Sequence, residues 1–183
     1  INSLKIISEE QNQKKLFFKE NISLKNVYYS YPNSSKKSLK DISLSISKGS
    51  SVGIVGVTGS GKTTTINILL GLLDAQKGSL QIDGNVIDKK NIKNWQRCIG
   101  YVPQNIYLID DTVAANIAFC GEKNLISQLD VEKASKIANL HNFVMNELPL
   151  KYQTVIGEQG VRLSGGQRQR IGIARALYHD PQL

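Results

Sequence analysis

The sequence contains few of the residues that mark several classes of protein. Its two cysteines, Cys98 and Cys120, have no metal-ligand spacing, which excludes a disulfide-rich scaffold and favours buried thiols in a reducing compartment. It has only four prolines and no low-complexity tract, which excludes collagen-like and Pro-rich disordered chains. No run approaches the roughly 20 apolar residues needed to span a bilayer, and no signal-peptide pattern is present. The 183 residues predict one folded domain without a membrane span.

The charge balance is basic, with 23 Lys and Arg against 15 Asp and Glu, a formal net charge of +8. Such a chain can bind nucleic acid, anionic lipid or a phosphorylated small molecule. The lysines, however, are scattered in isolated pairs at positions 14–15, 36–37 and 89–90. No run is long enough for a nucleic-acid-binding arm. The pairs are therefore interpreted as a solvated surface, and no nucleic-acid partner is expected.

Two stretches near the start of the chain have the alternating pattern of β-strands. Residues 22–31 and 39–47 alternate apolar and polar positions, and turn-forming residues lie between them. This pattern predicts an antiparallel pair. A short apolar run at 51–55 predicts a buried parallel strand. A glycine-rich loop follows at once, and the apolar spacing over 63–73 then predicts a helix, which completes half of a βαβ unit.

The rest of the chain is dominated by helical patterns. The sequence predicts a strand with its turn over 78–84, a short helix over 92–98 and a short strand over 99–103. Residues 111–147 are rich in helix signals, residues 151–161 are expected to form a loop, and residues 164–178 again show helical spacing. These patterns predict an α/β fold that begins with antiparallel strands and ends in helices.

Residues 56–63, Gly-Val-Thr-Gly-Ser-Gly-Lys-Thr, match the phosphate-binding pattern G-x-x-x-x-G-K-S/T. The glycines allow a tight turn whose amide N–H groups point at an anion, and the helix N-terminus adds partial positive charge. Lys62 supplies a full charge for the β- and γ-phosphates, the Thr63 hydroxyl can bind Mg²⁺, and Thr64 can contact the α-phosphate. A flexible turn with a surface lysine is the alternative. The predicted nucleotide-binding residues here are Gly56, Thr58, Gly59, Ser60, Gly61, Lys62, Thr63 and Thr64.

A second glycine-rich helix start lies at residues 163–167, Leu-Ser-Gly-Gly-Gln. Ser164 is a good N-cap, and the two glycines expose the first amides of the helix. One nucleotide does not need two such sites from one chain. The motif therefore suggests that the second site serves a nucleotide held by another copy. An ordinary capped helix is the alternative.

Together these motifs resemble the nucleotide-binding domain of ATP-binding-cassette (ABC) proteins. The family signature matches residues 163–167, and the match continues through Arg168-Gln169-Arg170 and Ala174-Arg175-Ala176-Leu177. Residues 101–104, Tyr-Val-Pro-Gln, match its Q-loop, Tyr31 falls where the family places an adenine-stacking aromatic, and residues 157–160 match a loop of exporter-type members. The matches run in the family's order from about residue 22 onward.

The resemblance implies roles for individual residues and implies ATP and Mg²⁺ as ligands. Tyr31 would stack on adenine, and Lys62 and Gln104 would be the catalytic residues. Thr63 and Gln104 would contact the metal. Glu158 would contact a transmembrane domain, although for Tyr31 and Glu158 a plain surface position is the alternative. The signature residues that would close over the opposite protomer's ATP are Ser164, Gly165, Gly166 and Gln167.

The resemblance also implies the architecture of the whole protein. It implies a P-loop NTPase core, incomplete at the C-terminus, with an N-terminal antiparallel β subdomain and a helical subdomain over about 106–177. Residues 1–19 would be a linker from an upstream membrane domain, and residues 20–183 a partial ATP-binding domain. The expected partners are that transmembrane domain, in the same polypeptide, and a second nucleotide-binding domain in a head-to-tail dimer. The expected location is the cytoplasmic face of the plasma (inner) membrane, as part of an integral membrane protein.

The finer match is to half-transporters of the exporter type, similar to flippases that move lipid-linked oligosaccharides. In the family, the Mg²⁺-binding aspartate and the catalytic glutamate lie on a strand that would follow Leu183. The resemblance therefore implies a transport-coupled ATPase whose present 183 residues bind ATP without hydrolysing it. Two alternatives stay open, a non-catalytic nucleotide-binding remnant and a soluble ABC ATPase that acts on nucleic acid.

Overall fold

The computed structural model describes residues 18–32, 34, 37–119, 123–161 and 163–183, with only the backbone at positions 123 and 159. The chain divides into two compact units, Ile1–Cys98 and Ile99–Leu183, which are described separately. Most of the predicted linker at 1–19 lies outside the described residues, as does Cys120. Cys98 is buried, as expected, and its thiol donates to the Asn94 carbonyl at 3.3 Å.

The first unit is built on a four-stranded sheet in the order β2-β1-β3-β4, in which every pairing is antiparallel. The strands are β1 (Asn21–Tyr29), β2 (Leu39–Ser47), β3 (Lys77–Ile82) and β4 (Asn85–Val86). The predicted antiparallel pair is confirmed, because β1 pairs with β2 along its length. Ile22 and Leu24 of β1 are both 1% exposed and lie opposite apolar residues of both neighbours, which are Ile46, Leu44, Ile82 and Leu80.

Two helices complete the first unit. Helix α1 (Lys62–Leu69) follows the glycine-rich loop, as predicted, but ends four residues early because Gly71 turns left-handed at φ 68°. Helix α2 (Ile92–Gln96) buries Trp95, whose indole Nε1 donates to the carbonyl of Leu69 at 2.8 Å. The Phe18 ring packs edge-on against Trp95, with ring centroids 6.4 Å apart. These contacts place α1 and α2 against one core.

Two predicted strands are wrong. Residues 51–55 and 99–103 are in no strand, and the first run is exposed, with Val52 at 56% and Val55 at 92%. A strand is stable only when a neighbour accepts its backbone hydrogen bonds and its apolar faces are covered. Within the described residues, all sheet pairing lies in the antiparallel sheet, so the expected parallel strands have no pairing partner. The mixed α/β class is right, but its parallel part is not formed here.

The second unit is helical. Its helices are α3 (Val113–Ala118), α4 (Gln128–Ile137), α5 (His141–Glu147) and α6 (Gly165–Leu177), with short 3₁₀ turns at Lys123–Leu125, Lys151–Gln153 and Glu158–Gly160. The helix predicted over 164–178 is confirmed almost to the residue. An apolar cluster joins α3, α4, α5 and α6, and its fully buried members are Val113, Ile117, Val131, Leu140, Val144, Ile171 and Ala174. Among the described helices, none is long and apolar enough to cross a bilayer.

Candidate functional site

The glycine-rich loop ends at Gly61, which is the N-cap of α1 and has no side-chain capping partner. Gly61 has φ 92°, and a Cβ built on it would lie 2.7 Å from both the Ser38 carbonyl oxygen and a methyl carbon of Leu39. Only glycine fits this conformation and this space. Since no side chain caps α1, its first amide N–H groups remain available to an anion.

Lys62 is the first residue of α1 and folds back over the loop. Its Nζ donates to the Gly56 carbonyl at 2.8 Å and to the Val57 carbonyl at 2.9 Å. Both acceptors are neutral, and a charged acceptor such as a phosphate forms a stronger hydrogen bond with an ammonium group. The loop therefore holds one positive charge beside the uncapped start of α1. Thr58, Gly59, Ser60 and Thr63 are exposed around it.

Tyr31 lies beside this loop, two residues after β1 ends. Its hydroxyl is 3.2 Å from the Thr64 Oγ1 on the first turn of α1. Its ring packs edge-on against Tyr29, with centroids 5.1 Å apart, and the residue is 41% exposed. The fold therefore brings the predicted adenine-stacking residue to the first turn of α1 and leaves part of it exposed.

The signature motif in the second unit forms a complete capping box. The Ser164 Oγ accepts from the Gln167 backbone N–H at 3.2 Å, and the Gln167 Oε1 accepts from the Ser164 N–H at 2.7 Å. The Gln167 side chain thus serves the helix itself. Gly165 and Gly166 are exposed, and a Cβ on either would meet nothing within 4 Å. The start of α6 is an open surface with room for a ligand or a second chain.

Gln104 is exposed and lines a cavity of about 840 Å³ in the second unit. Gly165 of the signature helix lines the same cavity, so the structure brings these two predicted residues together. Glu158, on a 3₁₀ turn, is also exposed. Sequence reasoning did not identify the polar side chains of Arg168 and Gln169 as further lining residues. Both residues belong to the extended signature match, and that match could have pointed to them.

Sequence reasoning also missed a buried polar network that ties α6 to the segment after Gln104. Arg175 donates through Nε to the Asn116 carbonyl and through Nη1 to the Tyr107 carbonyl, both at 2.8 Å. Its guanidinium lies over the Phe119 ring, 4.2 Å from the centroid. Burial lowers the pKa of Arg175 from its usual value. The Asn116 side chain is fully buried and bonds both the N–H and the carbonyl of Ile109.

No group of three or more His, Cys, Asp or Glu residues in the described part of the chain could hold a metal ion. The Thr63 hydroxyl, exposed at the loop, fits a Mg²⁺ ion that is held mainly by the phosphates of a nucleotide.

The chain is similar to known ABC transporters. A family model described as "ABC transporter" matches residues 39–183, and this range contains the glycine-rich loop, the Q-loop match and the signature. The chain is 41% identical over 177 residues to an ATP-dependent lipid A-core flippase of Wigglesworthia glossinidia brevipalpis, covering 95% of this chain and 30% of the flippase. It is 46% identical over 162 residues to the protein of that name from Saccharophagus degradans, covering 88% and 27%.

Two further ABC proteins are similar to this chain. The chain is 41% identical over 164 residues to ATP-binding cassette sub-family B member 5 of Mus musculus, covering 89% of this chain and 13% of that protein. A solved bacterial Atm1-family ABC exporter with ATP bound superposes with a TM-score of 0.81 at 34% identity, covering 93% of this chain and 29% of that one. The chain therefore spans less than a third of the length of these relatives.

Proposed function

The chain belongs to the ABC transporter family, and we propose that it is the ATP-binding motor domain of an ABC exporter. The observation that carries the proposal is the glycine-rich loop, in which the Lys62 ammonium and the uncapped start of α1 lie together beside Tyr31. This combination offers a cation and free amides to phosphates and a ring to a base. The ATP-bound Atm1-family exporter that superposes on this chain supports ATP as the ligand.

In this proposal the loop residues from Gly56 to Thr64 bind the ATP phosphates. Thr63 and Gln104 would hold a Mg²⁺ ion, and that ion would neutralise charge on the phosphates. Lys62 stabilises the charge that develops on the transferred group. Since none of these loop residues is a carboxylate that could act as the base, we propose that these 183 residues bind ATP without hydrolysing it.

The partners in this proposal are a second nucleotide-binding domain and a transmembrane domain. The open start of α6, where a Cβ on Gly165 or Gly166 would meet nothing within 4 Å, supports a head-to-tail dimer in which each signature meets the ATP of the other protomer. The relatives are more than three times as long as the matched region, which supports a transmembrane domain in the same polypeptide. Residues 1–19 would be the linker and residues 106–177 the helical subdomain.

The proposed location is the cytoplasmic face of the plasma (inner) membrane, within an integral membrane protein. Two of the relatives are named lipid A-core flippases. On that basis the proposed cargo is an amphipathic molecule with a lipid anchor and a polar head.

The test is ATP-dependent association of the chain, measured by sedimentation with and without MgATP. The variant Gly166→Asp places a carboxylate at the second helical position of α6, where a Cβ has free space and an acid suits the helix dipole. The fold should therefore be kept, while the partner's γ-phosphate would be repelled. The matched control is Leu129→Asp, at the second position of α4, which is 77% exposed.

Wild type and Leu129→Asp should dimerise with MgATP, and Gly166→Asp should stay monomeric while still binding ATP. Dimerisation of all three chains would contradict the proposed role of the signature. ATP binding by the wild-type chain without dimerisation would favour the non-catalytic remnant. Salt-sensitive binding of a DNA or RNA duplex would favour the nucleic-acid alternative.

A further inference from the structure

We infer that the Tyr31 hydroxyl is a positioning group for the α-phosphate of the bound nucleotide and that it acts through the Thr64 side chain. This inference rests on the proposed function. The Tyr31 hydroxyl oxygen is 3.2 Å from the Thr64 Oγ1. Thr64 is the third residue of α1 and only 5% exposed, so few rotamers of its hydroxyl remain open. The bond therefore fixes the direction in which the Thr64 hydroxyl can act.

Each hydroxyl has one proton, and this decides which of the two donates when an anion is bound. A hydroxyl donates one hydrogen bond and accepts two, whereas a phosphate oxygen only accepts. If Thr64 donated to Tyr31, it would have no proton left for a phosphate. When Tyr31 donates instead, the Thr64 proton points away from the ring and can be donated to an anion. Nucleotide binding therefore selects the arrangement in which Tyr31 donates, and the two bonds reinforce each other.

The neighbouring threonine shows that this arrangement is specific to Thr64. The Thr65 hydroxyl donates to the Gly61 carbonyl at 3.0 Å and so serves its own helix. Thr64 makes its side-chain hydrogen bond with Tyr31, a residue 33 positions earlier in the chain. The contact thus joins the segment after β1 to the phosphate-binding helix.

The Tyr31 side chain is held at a second point, by its neighbour Tyr29. Its ring packs at 88° against the ring of Tyr29, which is itself only 8% exposed and part of the core. With its hydroxyl on Thr64 and its ring against Tyr29, Tyr31 is held beside the first turn of α1. A ligand that carries both an aromatic base and an adjacent phosphate can use the Tyr31 ring and the Thr64 hydroxyl together.

The test is a double-mutant cycle on ligand binding, with Tyr31→Phe, Thr64→Val and the double variant. Phenylalanine keeps a stacking ring and valine keeps the shape of threonine. The probes are MgATP and inorganic tripolyphosphate, which carries three phosphates without a base. Tyr28→Phe is the control, since Tyr28 is the neighbouring half-buried tyrosine and faces Lys37. Calorimetric titration gives the affinities, and circular dichroism checks that each variant is folded.

We expect Tyr31→Phe to weaken both ATP and tripolyphosphate by the same factor, about 3- to 10-fold, as for the loss of one hydrogen bond. In the Thr64→Val background the same change should have no further effect. The inference is overturned if Tyr31→Phe binds both ligands as tightly as wild type. It is also overturned if Tyr31→Phe lowers the affinity as much in the Thr64→Val background as in wild type. Should Thr64→Val fail to fold, the tripolyphosphate result on Tyr31→Phe still decides, because stacking alone would leave that affinity unchanged. Failure of wild type to bind ATP would overturn the proposed function itself.

Discussion

The ammonium of Lys62, the first residue of α1, lies 2.8 Å from the carbonyl oxygen of Gly56, six residues earlier in the glycine-rich loop. The positive charge of the candidate site is therefore held by the backbone of the loop that would bind the phosphates. The loop residues 51–60 are all exposed, so this contact contributes little to the stability of the core. Removing the lysine side chain should accordingly affect ligand binding far more than folding.

Gly61 should be the most sensitive glycine of the loop. Gly61→Ala forces a left-handed φ on a residue with a Cβ and brings that Cβ within 2.7 Å of the Ser38 carbonyl oxygen. We expect a loss of more than about 2 kcal/mol in the free energy of unfolding. Gly49 also has a left-handed φ, of 74°, but open space around it, so Gly49→Ala should cost only about 1 kcal/mol. Urea titration measures both, and equal costs would contradict the steric argument.

Asn116 should be the most sensitive polar residue of the second unit. Its side chain is fully buried, accepts from the Ile109 N–H and donates to the Ile109 carbonyl. Its backbone carbonyl accepts from the Arg175 Nε. Asn116→Ala leaves the Ile109 N–H without its acceptor, whereas the Ile109 carbonyl still accepts from the Asp111 N–H at 2.8 Å, so we expect a loss of about 1–3 kcal/mol. Asn142→Ala, on the exposed face of α5, should change the unfolding free energy by less than about 0.5 kcal/mol. Thermal and urea unfolding give the comparison.

Asp83 should make the stability of the first unit depend on pH. Partial burial raises the pKa of the Asp83 carboxyl, but hydrogen bonds from the backbone N–H groups of Lys19, Asn21 and Glu20 outweigh it and lower the pKa below its usual value. The carboxylate therefore stabilises the fold above about pH 4, the usual aspartate pKa, and this contribution is lost as the pH falls through the lower folded value.

Asp83→Asn keeps the shape but removes that titration. The variant should be less stable than wild type at neutral pH, by roughly 1 kcal/mol, and the difference should shrink below about pH 4. Urea midpoints between neutral pH and about pH 2.5 test this. A difference that stays constant down to the lowest pH would show that the carboxylate charge plays no part.

The sequence was most informative where the structure depends on local chemistry. Ser164 and Gln167 form a capping box within four residues, so the start of α6 could be predicted from those residues alone. The alternating pattern of β2 was sufficient for the same reason, since Leu39–Ser47 is the strand in the structure. The glycine-rich loop also carried its own signal, because left-handed turns demand glycine.

Features that depend on distant partners could not be predicted. An apolar run such as 51–55 has strand composition, but a strand also needs a neighbouring strand, and composition does not say whether one is there. The buried Asn116 lies in an apolar helix, and its partner Arg175 comes 59 residues later. The bond between Tyr31 and Thr64 likewise joins two segments that only the fold brings together.

The most direct test of ATP binding at the glycine-rich loop is a calorimetric titration of MgATP into the 183-residue chain and into Lys62→Ala. Lys133→Ala is the control, because Lys133 is a surface lysine that pairs with Asp180. We expect one ATP per wild-type and per control chain. Lys62→Ala should bind at least about 10-fold more weakly, as for the loss of a charged hydrogen bond, while its melting temperature stays within a few degrees of wild type. Equal ATP affinity in wild type and Lys62→Ala, or no binding to the folded wild type, would contradict the account.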